Sequence, residues 1–144
     1  MIAYLDSSFL VSLYSFDSHS AAAQKILRHA ALPLVSSDLG ELEFTNALRQ
    51  LLYRKEMSRT DVEQAEDFFR ENKSQNILSI RPVTPVAFTK ALELSRTLTP
   101  TLNARSLDIL HVACAVTFRS PEFYTFDRTQ ANVAGAVGLK VRSS

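Results

Sequence analysis

The chain's 144 residues fit one domain, and a domain near that size buries roughly 68–70% of its unfolded surface, enough for a substantial core. Its 16 basic and 15 acidic residues leave a formal net charge of +1, which excludes a global pull toward polyanions and leaves any such binding to a local basic patch. The lone cysteine, Cys114, excludes an intramolecular disulfide and a thiolate metal cluster. No leader pattern and no apolar run near the ~18 residues of a membrane span occurs, so a cytoplasmic protein with one domain over 1–144 is expected.

Ile2–Leu5 reads as a first strand that stops on Asp6. Ser7 and Ser8 follow, and a short helix runs from them to about Tyr14. Beyond a polar turn, His19–Ala31 predicts a helix with Ala23, Ile26, Leu27 and Ala30 on one face. Pro33 closes it, and Leu34–Ser36 is a short strand candidate. Asp38 with Glu41 has the capping-box pattern for a helix to about Lys55, with Gly40 a poor helix former just inside it. Thr60 with Glu63 marks a second start, for a helix that ends near 72–74. Ile77–Val83 is a strand, and Thr84-Pro85 supplies the N-cap and first-turn proline of a helix through Leu98. Thr97–Arg105, which holds Pro100, is expected to be a loop. Ser106 caps a helix over 107–118. Phe123–Phe126 is a strand ending on Asp127, the helix 128–137 follows with Gly138 as its C′ residue, and Leu139–Val141 is a last strand. Strands that alternate with helices, without hairpin signals, predict an α/β fold: a mainly parallel sheet of about five short strands covered on both faces.

Four acids stand out against this frame. Asp6 and Asp127 each end a strand, and parallel strands deliver both to one edge of the sheet, where open α/β sheets collect their ligands. Both are also good N-caps for the helices that follow. Asp108 lies in the first turn of a helix that is apolar nearly all round, where an unpaired carboxylate is costly. Glu43 sits on the margin of its helix's apolar stripe. Carboxylates gathered at strand ends repel one another unless a positive charge lies between them. An all-oxygen set suits a hard cation such as Mg²⁺ or Mn²⁺, and a pair of such ions ~3.5–4 Å apart is the arrangement that hydrolyses phosphodiesters.

The motifs Tyr4-Leu5-Asp6-Ser7-Ser8, Glu43-Phe44-Thr45-Asn46-Ala47-Leu48, Ser106 to Ala115 and Thr125-Phe126-Asp127-Arg128-Thr129-Gln130, followed by Ala136 to Leu139, occur in one order along the chain. Together they resemble the PIN-domain nucleases, and among them the VapC-type toxins of type II toxin–antitoxin pairs. The resemblance implies a PIN-like three-layer α/β/α fold and an endoribonuclease dependent on Mg²⁺ or Mn²⁺. It implies that Asp6, Glu43, Asp108 and Asp127 hold the metal and carry catalysis, with Ser7 and Thr125 close by and Asn46 supporting Glu43. It also implies an RNA substrate, a homodimer, and a cognate antitoxin whose C-terminal segment blocks the site.

Several residues keep two readings. Glu41 competes with Glu43, and Glu41 fits better as the capping partner of Asp38. Arg128 is either a phosphate contact or a solvated first-turn residue. His111, one turn after Asp108, is a general base or a satisfied core histidine. Arg49, Arg54, Lys55 and Arg59 form a basic group that guides RNA, meets the antitoxin or is simply solvated. Two rival functions are a receiver-like signalling module, which needs adjacent acids where Asp6 is followed by serines, and a catalytically silent PIN domain that only binds RNA or protein.

Overall fold

The computed structural model describes residues 1–143. In chain order its elements are β1 (Ala3–Leu5), α1 (Ser7–Tyr14), α2 (Ser20–Arg28), β2 (Leu34–Ser37), α3 (Asp38–Tyr53), α4 (Arg59–Ser74), β3 (Leu78–Arg81), α5 (Pro85–Leu102), α6 (Ser106–Thr117), β4 (Glu122–Tyr124), α7 (Arg128–Ala136) and β5 (Lys140–Arg142). The five strands form one sheet in the order β3-β2-β1-β4-β5, with every pairing parallel. The first strand is therefore the central one. The chain winds outward from it through β2 and β3, then crosses back to lay β4 along its other side. That reversal puts the switch point between β1 and β4, where the strands' carboxyl ends splay around a crevice.

Side chains alternate across the strands and divide the core in two. Ala3, Leu5, Leu78 and Tyr124 pack with Phe9, Ala23, Phe44, Leu48 and Phe69 from α1–α4. Tyr4 and Phe123 face the other way, onto Ala87, Val112, Ala113 and Val133 from α5–α7. The result is the expected three-layer α/β/α arrangement. Phe44 and Phe69 stack at 4.7 Å between α3 and α4. Cys114 is fully buried, and burial pushes its thiol up to about 12, as expected of an inert core residue.

Three local expectations are corrected. The N-cap of α3 is Ser37, whose Oγ accepts from the Gly40 amide, while Asp38 Oδ1 accepts from the Val83 amide across the sheet edge. Gly40 is also accounted for: a Cβ there would collide with the buried Ser36 Oγ, so α3 lies close to β2 only because this position has no side chain. The box that starts α4 is Ser58 with Asp61, two residues before Thr60. Finally, α5 continues through Pro100 to Leu102 in place of a loop. Its stripe Leu94, Leu98, Leu102 packs at i, i+4, i+8 onto the core, and a proline in the last turn removes only one backbone bond. Asn103, at φ 52° and ψ 47°, then ends the helix in the left-handed region.

Candidate active site

The loop after β4 is fastened to the start of α1 through Asp6, which is fully buried. Asp6 Oδ1 accepts from Ser8 Oγ at 2.7 Å and from the Phe9 amide at 2.8 Å, which caps α1. Its Oδ2 accepts from the Thr125 hydroxyl. Thr125 Oγ1 in turn accepts from the Asp127 amide at 2.8 Å, and Ser8 Oγ accepts from the Phe126 amide at 3.0 Å. Burial raises the Asp6 pKa, against the opposing pull of His111, Thr125, Phe9 and Ser8. A carboxylate offers about four lone-pair sites, and these three bonds leave about one.

Asp127 caps α7, its Oδ1 accepting from the Gln130 amide at 2.8 Å. The side chain of the same glutamine donates from Nε2 to Asp108 Oδ1 at 3.1 Å. Asp108 Oδ2 accepts from the Arg105 amide at 3.3 Å, so Arg105 rather than Ser106 is the N-cap of α6. Gln130 thus ties two of the acids together. Its Oε1 is buried with no hydrogen-bond partner, an acceptor left short of positive charge.

Glu43 is held from another layer. His111, fully buried in α6, bonds Glu43 Oε1 through Nε2 and the Tyr4 hydroxyl through Nδ1 at 2.7 Å. Tyr4 Oη also meets Ser37 Oγ at 2.8 Å. An ionised carboxylate only accepts, so His111 carries its hydrogen on Nε2, and a neutral ring must accept the Tyr4 hydroxyl on Nδ1. The chain then runs Ser37 to Tyr4 to His111 to Glu43, beginning at the N-cap of α3 and ending on that helix. Burial by itself would raise the Glu43 pKa, but the hydrogen bond and electrostatic pull of His111 and the Ser7 hydroxyl hold it below its ordinary value.

An open cleft of about 480 Å³ is lined by Ser7, Ser8, Glu43, Asp108, Asp127 and Gln130, and also by Asp17 and His19. The structure therefore brings Glu43, Asp108 and Asp127 to one cavity, with Asp6 buried beside it against Thr125. Glu41 pairs with Lys73 at 2.8 Å, and of the two only Glu43 lines the cleft. Asn46 is exposed and makes no hydrogen bond to Glu43 among the described residues; its expected supporting role belongs to His111. Asp17, held by Ser12 Oγ at 2.8 Å, is a fourth acid lining the cleft, and in the sequence it reads as an ordinary turn residue. Arg128 is exposed at the start of α7, on an adjoining hollow. Arg49 and Arg54 pair with Glu66 and Glu56, and Arg49, Arg54, Lys55 and Arg59 do not line the cleft.

The donor set, carboxylates and hydroxyls with one orphaned amide oxygen, fits a hard cation in its chemistry. Among the described residues, however, no three His, Cys, Asp or Glu side chains are gathered closely enough to hold a metal ion as they stand. Each acid of the quartet is instead turned to a partner within the chain. Binding a metal would take these carboxylates partly out of those bonds.

A three-layer α/β/α protein with an acid-lined cleft at its switch point is the class defined so far. The PIN domain family model matches residues 3–136, and the chain belongs to that family, which removes the receiver-like alternative. In fold it is similar to the sarcin–ricin-loop-cleaving toxin VapC20 of Mycobacterium tuberculosis, at 16% identity over 97% of this chain and 98% of that one, with a TM-score of 0.72. VapBC2 of Rickettsia felis, solved on a fragment of its promoter DNA, is 15% identical over 98% and 97% of the two chains, with a TM-score of 0.70. FitAcB of Neisseria gonorrhoeae follows at 13% identity over 97% and 96%, with a TM-score of 0.66. No curated protein matches by sequence. Among the described residues no helix is long and apolar enough to cross a membrane.

Proposed function

We propose that the chain, as a single PIN domain, is a VapC-type toxin: a cytoplasmic endoribonuclease that hydrolyses RNA phosphodiester bonds and is neutralised by a cognate antitoxin. The observation that carries this reading is the convergence of Glu43, Asp108 and Asp127 from α3, α6 and the β4–α7 junction on one cleft at the switch point, with Asp6 from the end of β1 buried beside it. Family membership and the likeness to toxins of toxin–antitoxin pairs support it.

In this reading Asp6, Glu43, Asp108 and Asp127 hold Mg²⁺ or Mn²⁺, which when bound supplies an activated water and stabilises the leaving oxygen. Asp6 keeps a lone-pair site for one ligand bond while Ser8, Phe9 and Thr125 fix its direction. His111 orients Glu43 and keeps it ionised. Gln130 sets the relative positions of Asp108 and Asp127. The exposed apolar strip Val86, Phe88, Leu92 and Leu107 is the face proposed for the homodimer.

Asp108→Asn is expected to abolish RNA cleavage and cell toxicity while the protein still melts cooperatively, and EDTA is expected to do the same to the natural chain. Cleavage that survives both refutes the assignment. The inward-turned acids favour one second reading, a silent PIN domain that only binds. Melting separates the two: millimolar Mn²⁺ raises the Tm of a live metal site by linkage and leaves that of a silent one where it was.

A further inference from the structure

A stack of three rings leads from the core to the surface at the rim of the cleft. Phe9 is fully buried. Phe126 lies on it at 5.2 Å between centroids and 9° between planes. The imidazole of His19 lies on Phe126 at 4.6 Å and 15°. His19 is exposed, and its ring nitrogens make no hydrogen bond among the described residues. Only its backbone amide is engaged, by Asp17 Oδ1 at 2.8 Å.

His19, Phe126 and Asp127 line two hollows at once. One is the acid-lined cleft. The other, of about 230 Å³, is completed by Arg128, Ala131 and Ser143. That is below the ~300 Å³ where clefts for whole drug-sized ligands begin, and suits a single ring system. Arg128 is the only Lys or Arg lining either hollow among the described residues, and it forms no ion pair there with a described acid. An aromatic platform next to an uncommitted guanidinium, beside a phosphodiester site, is the combination that holds unstacked bases of single-stranded RNA.

We propose that this second hollow is a nucleobase subsite. A base of the RNA strand, next to the bond in the cleft, stacks on His19 as the fourth ring, and Arg128 meets the phosphate that joins the two positions. The inference rests on the ribonuclease reading for its substrate class, and it adds where one base is gripped and by what. Stacking tolerates every base but favours the larger purine face, so the subsite biases the cut toward a purine at that position.

The test uses a randomised single-stranded RNA heptamer carrying one 2-aminopurine, whose fluorescence is quenched on stacking, in an Asp108→Asn background that does not cleave. Quenching is expected with that protein and with His19→Phe added. His19→Ala should weaken binding about 5- to 150-fold, the range for losing one base–aromatic stack, and abolish the quench. Arg128→Ala should weaken binding and flatten its salt dependence. Melting of His19→Ala must stay within a few degrees of its parent, which separates lost stacking from lost folding. Equal binding and quenching with His19→Ala, or no quenching with any variant, overturns the subsite. The natural protein's failure to cleave any RNA, with quenching intact, overturns the nuclease reading alone.

Discussion

Replacing His111 with leucine tests the buried chain from Ser37 to Glu43 most directly. Leucine fits an apolar helix and fills comparable space, so what is lost is polar. Tyr4 Oη loses its 2.7 Å partner but keeps Ser37 at 2.8 Å, a net cost of about 1 kcal/mol for one neutral hydrogen bond. Glu43 loses a charge-assisted bond, worth about 1.5–3 kcal/mol when shielded. Its side chain is 27% exposed, so water recovers part of that. The sum is about 2–3 kcal/mol, or roughly 5–10 °C in Tm for a chain of this length. The functional cost should be larger in proportion, because a carboxylate freed from its hydrogen-bonding partner typically loses about 10–100-fold in metal affinity or activity. His111→Gln, whose amide still offers a donor toward Glu43, should recover most of the Mn²⁺ affinity without recovering all of the stability. Thermal melts, Mn²⁺ titration of the metal-free protein and RNA cleavage measure the three quantities. A leucine variant that melts, binds Mn²⁺ and cleaves like the natural protein refutes the reasoning.

Asp6→Asn should inactivate the enzyme yet stabilise the metal-free fold. Because burial raises the Asp6 pKa, the folded state binds that proton more readily than the unfolded one, and stability falls as pH climbs from the ordinary carboxylate value of about 4 through the raised folded value. The variant lacks this loss, so in EDTA its Tm advantage should be absent near pH 4 and grow toward neutrality; a difference that does not change with pH contradicts this. Gly40→Ala should destabilise despite the ~1 kcal/mol that helix propensity favours, since the new Cβ meets Ser36 Oγ; a raised Tm by denaturation would show that α3 can shift. Glu43→Gln should abolish cleavage, whereas Glu41→Gln, which breaks only the half-exposed pair with Lys73, should change stability by no more than ~1 kcal/mol and leave cleavage intact.

The parallel sheet was legible because alternating strands and helices without hairpins permit little else, and the four acids were legible because each broke a local pattern. What escaped was mostly non-local. Asp6 and Asp127 pose a choice between helix cap and active-site acid, and capping does not decide it: each caps a helix with one oxygen, while Asp127 lines the cleft and Asp6 is buried beside it. Asn46 had the right helical spacing to reach Glu43, and spacing on one helix cannot reveal that a histidine 68 positions away has taken that oxygen. Tyr4 gives no sign in the pattern, since an aromatic in a strand reads as core, and the two readings open to His111, general base or core histidine, do not include a bond to Glu43. His19 pairs with a ring 107 residues downstream, and it looked like the first residue of an amphipathic helix. The helix through Pro100 is not legible locally, because a proline is a strong loop signal and the leucine stripe that carries the backbone past it tells only once it is packed on the core.

The position of β1 has a consequence for synthesis. It is translated long before its second neighbour, β4, which begins at residue 122, and the Thr125–Asp6 bond spans 119 residues. Closing so long a loop is slow relative to local helix formation. A nascent chain on the ribosome carries Asp6, Glu43 and Asp108 well before Asp127 exists to complete the cleft. Any nuclease activity of this domain must thus wait until Asp127, and the α7 helix that it caps, have followed the rest of the cleft out of the ribosome.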